Sequence, residues 1–94
     1  MTTFAVTYTY ADDSAALEKV RPDHRAFLRE LNAAGTLHAS GPLPGAGGAL
    51  LILEAVTAGE VESILDDDPF AKAGLIVGRG VREWEVVIGG FATS

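Results

Sequence analysis

Residues 49–55, Ala49-Leu50-Leu51-Ile52-Leu53-Glu54-Ala55, are apolar at almost every position and follow a glycine-rich loop, so they read as a strand. Successive strand side chains point to opposite faces, which sends Leu50 and Ile52 one way and Leu51 and Leu53 the other. A sheet face open to water would alternate with polar residues, so both faces of this strand need a cover. The chain has 94 residues, enough for one domain, and folding at this size buries only about 60 to 65% of the unfolded surface. Two short helices can cover one face of such a sheet. A second copy stacked sheet on sheet is the expected cover for the other, which predicts a homodimer.

The remaining elements are read around that strand. Residues 3–10 alternate, with Phe4, Val6, Tyr8 and Tyr10 on one face and Ala5, Thr7 and Thr9 on the other, as a first strand requires. Asp12, Asp13 and Ser14 offer capping oxygens ahead of a short helical turn at 15–20. Pro22 suits the first position of a helix, where its missing N–H costs nothing, and Gly35 suits a left-handed C-terminal cap. Thr36 to Ser40 is a second strand, stopped by Gly41-Pro42 and a loop over 41–48. Thr57-Ala58-Gly59-Glu60 fits a capping box ahead of a second helix with Val61, Ile64 and Leu65 on its apolar face. That helix should stop near Asp67, because Asp68 precedes Pro69 and is pushed out of helical geometry. Phe70 to Gly80 reads as a connection and Val81 to Ile88 as the last strand. The order β-α-β-β-α-β over a single domain, 1–94, is that of an α+β ferredoxin-like sandwich.

Within the predicted helix, His24, Phe27, Leu28 and Leu31 recur at i, i+3, i+4 and i+7, the spacing of one buried stripe. A histidine on that stripe is ordinarily a core residue held by a backbone carbonyl, and chain direction argues for more. In a fully antiparallel sheet the start of the first helix, the end of the second strand and the end of the second helix share one pole. His24, Ser40 with Gly41, and Asp68 occupy those three places. In the first helical turn His24 would also sit beside the positive end of the helix dipole. A histidine with an aspartate orienting one ring nitrogen is an acid–base dyad.

Other candidates carry less. Asp66 and Asp67 read as solvated carboxylates, His38 as a strand residue, and Tyr8, Tyr10 and Trp84 as core or pocket wall. Arg21, Arg79 and Arg82 are cations that an anionic substrate could meet, and the sequence does not choose among them. Two histidines and no cysteine leave no metal site, and the glycine-rich stretches lack the spacing that cradles phosphate. Seven basic against thirteen acidic residues give a net charge of -6, which repels nucleic acid and anionic lipid. No run is apolar enough to span a membrane, and residues 1–6 lack the pattern of a signal peptide, so a soluble cytoplasmic protein is expected.

Three stretches, R-P-D-H-R-A-F-L-R-E-L at 21–31, G-T-L-H-A-S-G-P-L at 35–43 and D-D-P-F-A-K-A-G-L at 67–75, together resemble the YciI-like proteins over nearly the whole chain. The resemblance implies a dimeric α+β barrel related to the muconolactone isomerase superfamily. It also implies a cleft whose histidine and aspartate map onto His24 and Asp68, with Ser40 at a small polar or alanine position. The activities assigned in that family, such as dehydrochlorination of chlorinated hydroxyquinols, imply proton transfer on small oxygenated ring compounds without a cofactor. Two function classes follow. One is a cofactor-independent isomerase, lyase or hydrolase with His24 as base, Asp68 as its partner, and Ser40 and Gly41 against the substrate. The other is a non-enzymatic module that holds a small-molecule ligand in the same cleft. A third reading, haem ligation by His24 as in relatives of the wider superfamily, is separable by a Soret band on reconstitution.

Overall fold

The protein is described by a computed structural model covering residues 1–90. Its elements are β1 (Thr2–Tyr10), α1 (Ser14–Ala33), β2 (Leu37–Leu43), β3 (Gly48–Ala55), α2 (Ala58–Leu65), α3 (Pro69–Lys72) and β4 (Ile76–Glu83). The strands form one antiparallel sheet in the order β2-β3-β1-β4. This is the expected α+β, ferredoxin-like arrangement with a short additional helix, α3, before the last strand.

Alternation decides which face is which. Phe4, Val6 and Tyr8 of β1 stand opposite Leu53, Leu51 and Ala49 of β3, and residues opposed across an antiparallel pair share a face. All six are buried and, with Leu28 of α1 and Val61 and Leu65 of α2, make the main core. A smaller cluster of Leu17, Phe70 and Leu75 packs α1 against α3. The opposite sheet face carries Ala5, Thr7, Leu50, Ile52, Gly78 and Gly80. Leu50 and Ile52, rather than Leu51 and Leu53, are therefore the apolar residues turned away from the helices.

Three element boundaries differ from the sequence reading. The turn at 15–20 and the helix at Pro22 are one 20-residue helix, capped by Asp13, whose Oδ1 accepts from the Ala16 N–H at 3.1 Å. Pro22 lies inside α1, not at its first position, and its ring is on the exposed side. At the other end the cap is as expected: Gly35 has φ +84°, its N–H bonds the Asn32 carbonyl, and the Thr36 N–H reaches the Leu31 carbonyl at 3.0 Å. The last strand is Ile76–Glu83, not Val81 to Ile88. Gly78 and Gly80, which read as loop residues, lie in β4 opposite Thr9 and Thr7.

The third difference bears on function. β2 runs on to Leu43, and its pairing with β3 slips: Leu37 faces Leu53, but Ala39 faces Ile52 and Ser40 faces Leu51. His38 is the extra residue of a β-bulge, and past it the alternation changes phase. Ser40 thereby joins Leu37 on the face under the helices. Among the described residues no helix is long and apolar enough to cross a membrane.

Pro22 gives a test of the long helix. In a helix interior proline lacks the donor for the carbonyl four residues back and crowds it, a cost of about 3 kcal/mol against alanine, whereas at the first position the exchange is nearly neutral. Pro22→Ala should raise stability by about 1–3 kcal/mol in urea unfolding. An unchanged midpoint would mean that α1 begins at Pro22.

Candidate functional site

Asp68 is where the site starts. As the residue before Pro69 it is held extended, with φ −60° and ψ 127°, and its side chain caps α3 by accepting from the Phe70 N–H at 2.9 Å. A carboxylate at a helix start is ordinary; this one is 0% exposed. Two side chains from other elements share its oxygens. Tyr8 Oη, from the inner face of β1, donates to Oδ2 at 3.0 Å, and His24 Nδ1, from α1, lies 2.8 Å from Oδ1 and 2.9 Å from Oδ2. A carboxylate only accepts, so the Nδ1 hydrogen points at Asp68 and Nε2 is the ring's other working atom.

Nε2 faces open space. The bonds of His24 all run through Nδ1, and among the described residues no buried side-chain nitrogen or oxygen is left without a partner. Nε2 is thus the solvent-touching part of a residue only 7% exposed. The Phe70 ring stacks on the imidazole, with centroids 4.0 Å apart and planes 14° from parallel, which fixes its tilt as Asp68 fixes its rotation.

His24 lines a cavity of about 400 Å³. Ser40, Gly41 and Pro42 of β2 form one wall, Ala49 and Leu51 of β3 the floor, Phe70 and Tyr10 another side, and Arg21, Arg25 and Leu28 of α1 the rest. The structure thus brings His24, Asp68, Ser40 and Gly41 together, with Asp68 behind the ring and the other three on the cavity. The reason differs from the one read in the sequence. His24 lies ten residues beyond Ser14, in the middle of α1, so neither terminus of α1 is near and the dipole of that helix, which fades within the first turn, does not reach it.

Other sequence candidates go elsewhere. Arg79 donates to Glu62 Oε1 and Asp66 Oδ1, both at 2.7 Å, which ties β4 to the end of α2. Burial alone would lower its pKa, yet these two carboxylates hold it above the ordinary value. Asp66 is exposed, as expected, and is engaged by Arg79; Asp67 is exposed too. His38 sits beside Glu54, 3.6 Å from Oε2, and is not on the cavity. Among the described residues no group of three His, Asp or Glu side chains is arranged to hold a metal ion.

Tyr8 is the residue whose part the sequence reading missed. Its inward place on β1 was legible, and a buried phenol requires a hydrogen-bond partner, but only the fold supplies Asp68 as that partner. Burial, and then the adjacent Asp68 charge, push the Tyr8 hydroxyl well above its ordinary value, so it stays a donor. Burial and Asp68 also raise Tyr10, against a smaller opposing effect of Arg21.

With this geometry in place, a family model for the YCII-related domain matches residues 1–85. The chain belongs to the YCII-related family. Among solved structures, this YCII-related protein is similar to 5-chloro-2-hydroxyhydroquinone dehydrochlorinase from Burkholderia phenoliruptrix AC1100, solved in complex with 2,5-dihydroxybenzoquinone. The two share 31% identity over 88% of this chain and 93% of that one, with a TM-score of 0.77. No functionally curated protein matches the sequence.

Removing the Tyr8 hydroxyl leaves Asp68 short of a donor, so Tyr8→Phe should destabilise the YCII-related fold by about 1–3 kcal/mol. The same substitution has a pH signature. Above its ordinary value of 10.0 the unfolded tyrosine loses a proton that folded Tyr8 keeps, so the unfolded chain binds fewer protons and stability falls as pH rises. Unfolding of the wild type followed from neutral pH to beyond that value should show this decline, and Tyr8→Phe should flatten it. Parallel curves for the two proteins would contradict the buried, protonated phenol.

Proposed function

We propose that this YCII-related protein is a cofactor-independent enzyme that performs acid–base chemistry on a small oxygenated ring compound. His24 Nε2 acts as the general base. The observation that carries this is the buried Asp68 carboxylate holding Nδ1, which commits the ring's one free nitrogen to a cavity that Ser40 and Gly41 also line. When Nε2 takes a proton from a hydroxyl or ring carbon of the substrate, the bonding electrons stay on the substrate. The positive charge that develops on the imidazole then faces Asp68. Those electrons expel a leaving group in a lyase, or recapture the proton at another atom in an isomerase. Similarity to a named dehydrochlorinase, at 31% identity, supports the first of these outcomes. Ser40 and the Gly41 backbone contact the substrate from the β2 wall.

Chloride release from chlorinated hydroxyquinols is the first assay, followed by a panel of hydroxylated quinones. On any substrate found, His24→Ala should lose about a hundredfold or more in kcat, the usual range for a positioned base. Asp68→Asn should lose less, because it keeps the shape and sacrifices the charge. Far-ultraviolet circular dichroism must match the wild type for the comparison to count. Undiminished turnover by a folded His24→Ala protein refutes the proposal.

The enzyme works as a homodimer in which two sheets pack through the faces that carry Leu50 and Ile52, closing a barrel. The support is chemical: Leu50 is 36% exposed on a face whose centre also carries Ala5, Thr7, Gly78 and Gly80, small enough for a second sheet to approach, with Arg82 and Glu54 toward one end. Leu50→Glu with Ile52→Glu should dissociate or unfold the protein, since either charge would be buried without a partner. Light scattering that gives a monomer for the wild type at micromolar concentration rules the dimer out.

A further inference from the structure

Arg21 and Arg25 stand one helical turn apart on α1, on the same side as His24 and Leu28, and all four line the cavity. Among the described residues neither arginine makes a hydrogen bond or an ion pair, in a chain with thirteen acidic residues and a net charge of -6. Glu18, which borders the adjoining groove with both of them, is not within ion-pair distance. Like charges at this spacing repel each other, so no carboxylate among the described residues accounts for two guanidinium groups side by side here. Arg79 is the contrast, with both of its carboxylate partners at 2.7 Å.

We infer that the cavity selects an anionic ring compound, a phenolate, an enolate or an aromatic carboxylate, and that Arg21 and Arg25 recognise its charge. The inference rests on the reading of this cavity as the substrate site and narrows its substrate class. Each guanidinium is a flat fork of donors that matches paired oxygens, whereas Tyr10, Leu28 and Pro42 on the cavity suit an apolar planar body. The positive field also reaches into the site: against the larger effects of burial and Asp68, Arg21 favours the ionised form of the Tyr10 hydroxyl on the cavity. An anion held there stands in the cavity that His24 also lines, within the reach of Nε2. Anionic charge formed by proton removal is stabilised by the same two arginines. Nucleic acid is not the occupant, because the net charge repels it and the concavity admits only a small molecule.

The test is calorimetric binding with 2,5-dihydroxybenzoquinone, whose vinylogous acid groups are ionised at neutral pH, against 2,5-dimethoxybenzoquinone, its uncharged dimethyl ether. The anion should bind at least about tenfold more tightly than the ether. Arg21→Gln with Arg25→Gln should cost the anion about tenfold or more and leave the ether within about twofold. Raising sodium chloride from about 50 mM to about 500 mM should weaken only the anion. The single Arg25→Gln change, at an exposed position, and the salt series on the unmodified protein carry the test if the double variant fails to fold. Equal affinities for anion and ether, no effect of the arginine changes, or no binding of the anion at millimolar concentration each overturn the inference. His24→Ala separates it from the acid–base reading. Undiminished turnover in that variant, beside lost anion binding in the arginine variants, removes the base and leaves the anion site standing.

Discussion

One buried carboxylate organises the molecule. An ionised aspartate taken out of water costs several kcal/mol unless donors surround it, and Asp68 has three, from three separate parts of the chain. The Phe70 N–H comes from the start of its own helix, Tyr8 Oη from the central strand, and His24 Nδ1 from the middle of α1. Satisfying all three at once leaves α1 few ways to cross the sheet, because residue 24 must pass over the N-terminus of α3. The strands comply locally. Gly48 has no side chain where an added Cβ would overlap the Tyr8 carbonyl oxygen, so β3 can close on β1 at the point where Tyr8 extends toward Asp68. The main core and the smaller α3 cluster meet at this carboxylate, since Tyr8 belongs to one and Phe70 to the other.

Such a network is a poor way to stabilise a fold. Losing one donor exposes a buried charge to an apolar surrounding, yet replacing a whole buried polar set with well-packed apolar side chains is often neutral or better. The presence of Asp68 therefore points to what it orients rather than to stability. Rotation of the imidazole is set by two carboxylate oxygens and its tilt by Phe70, while Nε2 has no partner among the described residues. A ring held at one edge by Asp68 and on one face by Phe70, with its other nitrogen open and mounted in mid-helix over a sheet, has the positioning that proton transfer needs.

Legibility in the sequence followed the physics of each signal. Period-two alternation marked β1, an unbroken apolar run marked β3, and the caps at Thr57 and Gly35 fell where hydroxyl and left-handed glycine were needed. Proline and glycine misled. Pro22 was placed at a helix start because its missing donor is harmless there, whereas α1 tolerates it in the interior on a solvent-facing side. Gly78 and Gly80 hid the front of β4, since a glycine in a strand looks like a break, although these two sit against Thr9 and Thr7, whose side chains already fill the space. Bulges leave no periodic trace at all. The slip at His38 is written only in the pairing with β3, and without it Ser40 would point to the face away from His24.

The convergence of His24, Ser40 and Asp68 was legible for a reason that outlives the mistaken start of α1. Chain direction in a β-α-β-β-α-β sheet brings the β2 wall and the α2–α3 junction to the same helix, and a residue anywhere on the inward stripe of its middle third can meet them. What chain direction cannot convey is the electrostatic environment. A histidine at the first turn would have answered to the dipole of its own helix; in mid-helix it answers to Asp68 and Phe70 beside it. The free ring nitrogen therefore lies between one buried carboxylate behind the ring and two guanidinium groups, without ion pairs among the described residues, on its own helix face. That arrangement separates the tasks along α1. The inward stripe of Leu17, His24 and Leu28 docks the helix, Asp68 keeps the Nδ1 hydrogen, and the arginines one turn apart line the cavity that His24 also lines.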